Sequence, residues 1–205
     1  MRRLRAWRHG RGNWQQARWM ALDIETNGLS PKEDAMLSLA WVPIQPPVIA
    51  LDRTGYSLLH SDTTLNQSAT IHQLSSSDLA SGRPLKEVLE AFTHDAQDHF
   101  IVAHNVQFDR SALQAALARA GMRWRADGWY CTLLAEKKRL ERAHNVLPHG
   151  SLTLAASRAR YGLADFTGHH ALHDAIACAE LFLAQAYRSS NGQSIPARRI
   201  LKDGR

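Results

Sequence analysis

Residues 19–25 form an apolar segment that ends in two acids and runs into the turn pair Asn27-Gly28. An apolar run of this length followed by a turn predicts a buried strand. Successive strand side chains point to opposite faces, so Asp23 and Glu25 share a face and lie side by side. Adjacent carboxylates repel each other unless a cation compensates. Taken alone, the pair fits either a metal site or the charged end of a surface strand.

The chemistry of the acids narrows the choice of metal. Carboxylate oxygens suit Mg²⁺ or Mn²⁺ better than zinc, and Mg²⁺ typically uses only one or two protein carboxylates with water and substrate phosphates. Cys131 and Cys178 form no zinc or disulfide pattern. A zinc cluster of histidines is conceivable, but their intervals match no zinc pattern; these histidines are His144, His149, His169, His170 and His173.

The charges are divided between two basic ends and a mildly acidic body. Six arginines and no acid precede Asp23, and from Arg188 onward there are five basic residues and one acid. The remaining 14 basic and 18 acidic residues lie between these two ends. The whole chain has a net charge of +6. We predict a basic N-terminal extension over 1–16, one folded domain over 17–187 and a basic C-terminal tail over 188–205. The ends fit either phosphate contacts or solvated termini, and the arginine-rich start also resembles a transit peptide.

The order of the predicted elements indicates a single α/β domain. The patterns predict four strands, a helix, a central strand and four further helices; these lie at 19–25, 36–42, 48–52 and 56–60, then 84–96, 100–103, 107–119, 132–142, 152–160 and 171–187. No stretch approaches the ~18 apolar residues of a membrane span. With no membrane span and no disulfide framework, we expect a cytoplasmic protein without a membrane partner.

Two further acids lie where α/β folds place ligands. Asp109 follows the central strand near the start of a helix, and Asp174 lies on a helix otherwise lined with small residues. The end of a buried strand is a common ligand position, and small side chains let a helix approach the sheet closely. Asp109 alone would fit an ordinary helix-dipole partner as well as a metal ligand. Asp174 alone suggests that this face of its helix meets the sheet near other polar groups.

Three segments together resemble the motifs of the DEDDh 3′–5′ exonucleases, the superfamily of the proofreading subunit of bacterial replicative DNA polymerase. They match Asp-x-Glu-Thr-x-Gly, His-Asn-x-x-Phe-Asp and His-x-Ala-x-x-Asp-Ala at residues 23–28, 104–109 and 169–175. Each motif is weak alone, but three in this order, each at the end of a suitable element, are specific. The chain departs from the family at Asn27, where a second Thr is frequent, and at Cys131, where an Asp is frequent.

The resemblance implies a ribonuclease H-like α/β fold with a mixed five-stranded sheet flanked by helices. It implies that two Mg²⁺ or Mn²⁺ ions are held by four acids, Asp23, Glu25, Asp109 and Asp174. The terminal nucleotide would be contacted by Thr26, Leu29, Asn105 and Phe108. The implied reaction releases nucleoside 5′-monophosphates from the 3′ end of single-stranded or frayed nucleic acid, with DNA favoured. A polymerase partner is compatible with the resemblance, and the oligomeric state is not indicated.

The general base and the class of function each have alternatives. The family spacing selects His169, five residues before Asp174, although His170 and His173 lie nearby. An imidazole with an ordinary pKa near ~6.5 suits proton removal at neutral pH. A catalytically silent nucleic-acid-binding or polymerase-associated module is the main alternative, but four clustered acids would repel phosphate without a metal. A strand-transfer enzyme on a related fold fits the Asp-x-Glu pair and His169 less well.

Overall fold

The computed structural model describes residues 10–61, 75–143 and 145–205. Its strands are β1 Trp19–Thr26, β2 Met36–Gln45, β3 Val48–Ile49, β4 Gly55–Leu58, β5 Phe100–Ala103 and β6 Trp129–Cys131. Its α-helices are α1 Ser76–Ala80, α2 Leu85–Asp95, α3 Val106–Arg119, α4 Thr132–Glu141, α5 Leu154–Ala159, α6 Ala171–Ser190 and α7 Ala197–Asp203. No helix in these described ranges is long and apolar enough to cross a membrane.

The strands form one mixed sheet in the order β3, β2, β1, β5, β6, with β4 also paired to β2. β1 and β2 are antiparallel, whereas β5 is parallel to both β1 and β6. β3 pairs with Ile44 and Gln45, and β4 pairs with residues 38–41, so the two short strands share one edge position beside β2. The sheet is therefore five strands wide, and the predicted α/β architecture with a mixed sheet flanked by helices is confirmed.

The side chains of β1 alternate between two apolar cores. Trp19 and Ala21 pack in the core on the α6 and α7 side. Met20, Leu22 and Ile24 pack in the core on the α2 and α3 side. Because strand side chains alternate with a period of two, the acids at positions 23 and 25 share the face of Trp19 and Ala21. The fold thus directs both acids towards the side of the sheet covered by α6.

Helix α6 packs closely on that face because its buried stripe consists mostly of small residues. The stripe contains Ala171, Ala175, Cys178, Ala179, Phe182 and Ala186. These positions recur every three or four residues, which is the spacing of one helix face. Asp174 lies in the first turn of α6. The close approach of the helix therefore brings Asp174 to the acids of β1.

Residues near both ends of the described chain contribute to the same core. The Trp14 side chain is fully buried, and Ile200 and Leu201 of α7 pack with it in the core around Trp19. The Trp14 backbone N–H also donates to the Ile195 carbonyl at 2.9 Å. Segments that flank the predicted 17–187 domain are thus part of its packing, and the domain boundaries stay a prediction. The arginines at 2, 3, 5 and 8 lie outside the described residues.

Candidate active site

Three carboxylates from two elements meet at the end of β1. Asp23 and Glu25 come from β1 and Asp174 from α6, and one oxygen of each lies within 4.8 Å of the others. Within the described ranges, which omit His144, no other group of three or more His, Cys, Asp or Glu side chains could hold a metal ion. The two acids of β1 therefore lie next to a third acid, Asp174. The described histidines give no support to the zinc alternative.

Asp109 lies deeper than these three acids, in the first turn of α3. Its side chain is buried, and α3 begins directly after β5, whose residues 100–102 pair with residues 19–21 of parallel β1, so that β5 ends close to the level of Asp23. Burial raises the pKa of Asp109 to about 8, against the lowering effect of backbone hydrogen bonds such as that from Ile24. After burial, the charge of Asp109 is also the strongest influence that raises the pKa of Asp23. All four predicted acids therefore interact electrostatically.

The pKa shifts test whether this donor set fits a cation. Burial, then the charge of Glu25, raises the pKa of Asp174 to about 6, and the pKa of Asp23 is raised well above its ordinary value. Carboxyl groups in proteins ordinarily have pKa values near ~4, so three of the four acids retain protons at unusually high pH. A divalent cation replaces those protons and compensates the repulsion. Oxygen donors alone match the preference of Mg²⁺ and Mn²⁺.

His169 stands immediately before α6 in an uncommon backbone conformation. Its φ angle is 65°, in the left-handed region that few non-glycine residues adopt. The His169 backbone N–H donates to Oδ2 of Asp174 at 3.1 Å, which stabilises this bend. The side chain itself is exposed. The structure thus attaches His169 to one of the clustered acids through its backbone and leaves its imidazole accessible.

The neighbouring histidines have different surroundings. The His170 ring packs between Tyr56 and His173, with ring centroids 4.7 Å and 4.6 Å away. Burial, followed by the charge of His173, lowers the pKa of His170. Tyr56 belongs to β4, and its own pKa is raised by burial and then by the charge of Glu25. Tyr56 is therefore a neighbour of the acids. It lies on the edge strand β4, outside the three sequence motifs.

His104, the first residue of the second motif, holds elements together. Its Nε2 lies 2.9 Å from the Leu152 carbonyl oxygen, which can only accept, so this nitrogen donates. Its Nδ1 then accepts from the Thr132 hydroxyl at 2.8 Å. Burial lowers the pKa of His104 to about 4, in agreement with a neutral ring. His104 thus ties the end of β5 to the start of α4 and to the segment before α5.

A cleft of about 490 Å³ opens between the β1–β2 loop and the first turns of α3. Leu29, Asn105 and Phe108 line it, and the Leu29 side chain is 91% exposed. Thr26 is buried, and its hydroxyl donates to the Gly28 carbonyl at 2.7 Å. The structure therefore brings three of the four predicted substrate contacts to one cleft. Thr26 instead shapes the turn that leads to Leu29.

The two departures from the family motifs have local structural roles. The Asn27 side-chain oxygen accepts from the Ala35 backbone N–H at 2.8 Å, which joins the two ends of the β1–β2 loop. The Cys131 sulfur accepts from the Leu134 backbone N–H at 3.4 Å and caps α4. Neither side chain occupies a position among the clustered acids.

The raised pKa of Asp109 predicts that Asp109→Asn stabilises the metal-free protein at high pH. With its pKa at about 8, this group binds a proton in the folded state that the unfolded chain has released, so its contribution to stability falls as pH rises from about 4 to 8. The neutral amide removes that loss. We expect Asp109→Asn to raise Tm in EDTA at pH 8 by at least ~2–4 °C, corresponding to about 1 kcal/mol, and to have little effect at pH 4.

The Tm of Asp109→Asn must be compared with that of wild type at each pH, because His104 changes the stability of both proteins with pH in the opposite direction. Its lowered pKa means that stability is lost as pH falls from about 6.5 to 4. The difference between wild type and Asp109→Asn removes this contribution, and Asp165→Asn, at an exposed acid, is the matched control. A lower Tm for Asp109→Asn than for wild type at pH 8 would contradict the raised pKa of Asp109 in the folded protein.

Comparison with known proteins identifies relatives that match most of the folded region. The RNase_T family model, described as an exonuclease, matches residues 20–182. A PolC-type DNA polymerase III from Thermotoga petrophila is 30% identical over 172 residues, which are 83% of this chain and 12% of the relative. The Thermotoga maritima protein of the same description is 32% identical over 168 residues, 82% of this chain and 12% of the relative. The chain thus spans about an eighth of the length of these relatives.

Solved structures share the fold at lower identity. Escherichia coli Exonuclease I in complex with a 5cy-dA13 oligonucleotide has a TM-score of 0.67 at 15% identity, with 82% of this chain and 40% of that chain covered. Exonuclease X in complex with 5′ overhanging duplex DNA has a TM-score of 0.65 at 21% identity, with 89% and 99% covered. The cell-death related nuclease CRN-4 has a TM-score of 0.70 at 13% identity, with 86% and 64% covered.

Proposed function

The chain belongs to the RNase_T exonuclease family of DnaQ-like DEDDh proteins, and from this premise we propose that it is a metal-dependent 3′–5′ exonuclease. The observation that carries the proposal is the meeting of Asp23, Glu25 and Asp174 within 4.8 Å, with Asp109 buried beside them. A protein that only bound nucleic acid would gain nothing from four acids that repel phosphate. The proposed substrate is single-stranded or frayed nucleic acid, with DNA favoured.

The proposed roles of the residues follow from their positions. The four acids hold two ions, Mg²⁺ or Mn²⁺, which when bound supply charge stabilisation for the attacking and leaving oxygens of an in-line displacement. We assign proton removal from the attacking water to His169, because its backbone N–H bond to Asp174 holds this residue next to the clustered acids and its side chain is exposed. The ring of His170 is less suited to this role, since it is packed between Tyr56 and His173.

The cleft beside the acids supports a nucleotide as the ligand. The exposed apolar side chain of Leu29 faces the same space as Phe108, and Asn105 offers polar atoms at the start of α3. Apolar edges suit a nucleobase, because bases stack favourably on flat or apolar side chains without regard to sequence. We place the 3′-terminal nucleotide between Leu29 and Phe108, with its phosphodiester at the acids.

A larger groove of about 1020 Å³ continues from this cleft along α3 and supports a polyanionic strand as substrate. The two cavities share Lys32, Gln107 and Ser111, so they are contiguous. Among the residues that line the groove are four cationic side chains, Lys32, Arg110, Arg125 and Arg205, together with Trp124 and Trp129. Cations and aromatic rings along one groove are the features that bind single strands through phosphates and bases.

A polymerase assembly is a further element of the proposal. The Thermotoga relatives are described as PolC-type DNA polymerase III, and this chain matches a small part of them. Co-purification with a polymerase subunit would support such an assembly. The structural neighbours were solved with an oligonucleotide and with duplex DNA, which favours DNA over RNA as the substrate.

The proposed activity predicts a ladder of products from a labelled strand. A 5′-labelled single-stranded oligonucleotide incubated with the protein and Mg²⁺ or Mn²⁺ should shorten progressively from its 3′ end and release nucleoside 5′-monophosphates. EDTA should abolish the ladder. Matched DNA and RNA oligonucleotides, and a 3′-phosphorylated strand as a blocked control, define the substrate class. Tight binding without shortening under every metal condition would instead favour the catalytically silent module.

A further inference from the structure

Arg119, in the last turn of α3, is bonded to the loop that connects β1 and β2. Its Nη1 donates to the Asp34 carbonyl at 2.9 Å, and its Nη2 donates to the carbonyls of Lys32 and Glu33, each at 2.8 Å. Three consecutive carbonyl oxygens thus accept from one guanidinium group. Hydrogen bonds from a charged donor are shorter and stronger than neutral ones. Arg119 therefore fixes this stretch of the loop to the helix.

The β1–β2 loop, residues 27–35, which we call the Leu29 loop, forms one wall of the cleft that contains Leu29. Residues 29–33 and the first turns of α3 line the same space. Phe108 and Arg119 are eleven residues apart on α3, which corresponds to about 16 Å along the helix axis. The loop therefore lies along α3, with Leu29 near the start of the helix and the clamped carbonyls near its end. Helix α3 thus forms one wall of the cleft, and its Arg119 side chain holds the loop that forms the other wall.

The loop has internal bonds that fold it without attaching it to α3. The Ser30 backbone N–H donates to Oδ2 of Asp34 at 2.6 Å, and a side chain at Gly28 would overlap the Asp34 carboxylate. Asn27 joins the loop ends through Ala35. Leu29 itself is 91% exposed and gains little from packing. The position of Leu29 relative to Phe108 thus depends on what fixes the folded loop to the helix.

We propose that Arg119 is a positioning residue that sets the width of the cleft for the 3′-terminal nucleotide by holding the Leu29 loop against α3. The expected change in KM rests on the proposed nuclease function, whereas the attachment of the loop to α3 does not. Without the clamp the loop moves, and ordering it again opposes substrate binding. Arg119 bonds to loop carbonyls at the far end of α3 from Asp109, so its loss affects KM more than kcat.

The first test is the kinetics of Arg119→Gln on the 5′-labelled oligonucleotide. We expect KM to rise about 10-fold with kcat within about 2-fold of wild type. Arg119→Lys should recover only part of the affinity, because one ammonium group cannot reach three carbonyls as the planar guanidinium does. Arg123→Gln, at an exposed arginine four residues away, is the matched control and should leave both constants unchanged. The affinity for Mn²⁺ should not change in any variant.

The second test measures the loop directly and needs no activity. Hydrogen exchange of the backbone amides in residues 28–35 should become at least several-fold faster in Arg119→Gln, while exchange in β1 and α6 stays unchanged. If the protein degrades no nucleic acid, this measurement still decides whether Arg119 holds the loop. Unchanged exchange in the loop overturns the proposal. So does a fall of kcat and Tm at constant KM, since that result indicates a general role in stability.

Discussion

Asp174→Ala is expected to lower the rate of nucleotide release by about 10³-fold or more. The substitution removes one of the three carboxylates whose oxygens lie within 4.8 Å of each other, and with it the His169 bond that orients the proposed base. Both losses affect the reacting phosphate rather than the core. Initial rates on a 5′-labelled single strand, with saturating Mg²⁺ and separately Mn²⁺, measure the effect. Calorimetric titration with Mn²⁺ should show weaker binding.

The control for this prediction uses an acid in the same region. Asp165 is exposed and lies nine residues before Asp174, so Asp165→Ala should retain the wild-type rate. The Tm of Asp174→Ala in EDTA should equal or exceed that of wild type, because the pKa of Asp174 is raised by burial and by Glu25. Retention of more than a tenth of the wild-type rate with both metals would exclude Asp174 from the proposed metal site.

His169→Ala is expected to lower kcat by about 10²–10⁴-fold at pH 7, the range typical for loss of a general base. Binding of Mn²⁺ should be retained, since His169 contributes its backbone N–H and not its ring to Asp174. The rate should recover in part as pH rises, because hydroxide increasingly replaces the proton acceptor. Single-turnover rates between pH 6 and 10 measure the loss and the recovery.

His173→Ala provides the matched comparison, since both rings are exposed and flank the start of α6. We expect it to keep a rate within about 5-fold of wild type. If His173→Ala or His170→Ala removes the activity while His169→Ala retains it, the base is one of the neighbouring histidines. Such a result would leave the acids in their proposed role and change only the proton acceptor.

The sequence predicts the placement of a site residue most directly where a single strand or helix carries the pattern. The alternation of β1 places Asp23 and Glu25 on one face by backbone geometry, whatever the rest of the chain does. The helix that follows β5 brings Asp109 to the same region, because parallel β5 ends close to the level of Asp23 on β1. The meeting of Asp174 with the strand acids required the motif resemblance, since 149 residues separate it from Glu25 and no local pattern records the contact.

Several neighbours of the site have no recognisable signature in the sequence. Tyr56 lies on a short edge strand outside the three motifs, and the pairing of β4 with β2 brings it towards Glu25. Arg119 reads as an ordinary cation at a helix C-terminus. Its three carbonyl acceptors lie 85 to 87 positions away and offer backbone atoms, which have no sequence signature.

The residues and their local spacing predicted the chemical character of this protein: the paired carboxylates, the longer strands and helices, and the family to which they point. Those features depend on side-chain identity and on local backbone periods of 2 and 3.6 residues. Strand β6 and helix α7 were not predicted. The tertiary structure alone decided which acid is buried deepest, which histidine ring is accessible and which arginine holds the Leu29 loop. Burial and long-range contacts fix these properties, and they arise only when distant segments pack together.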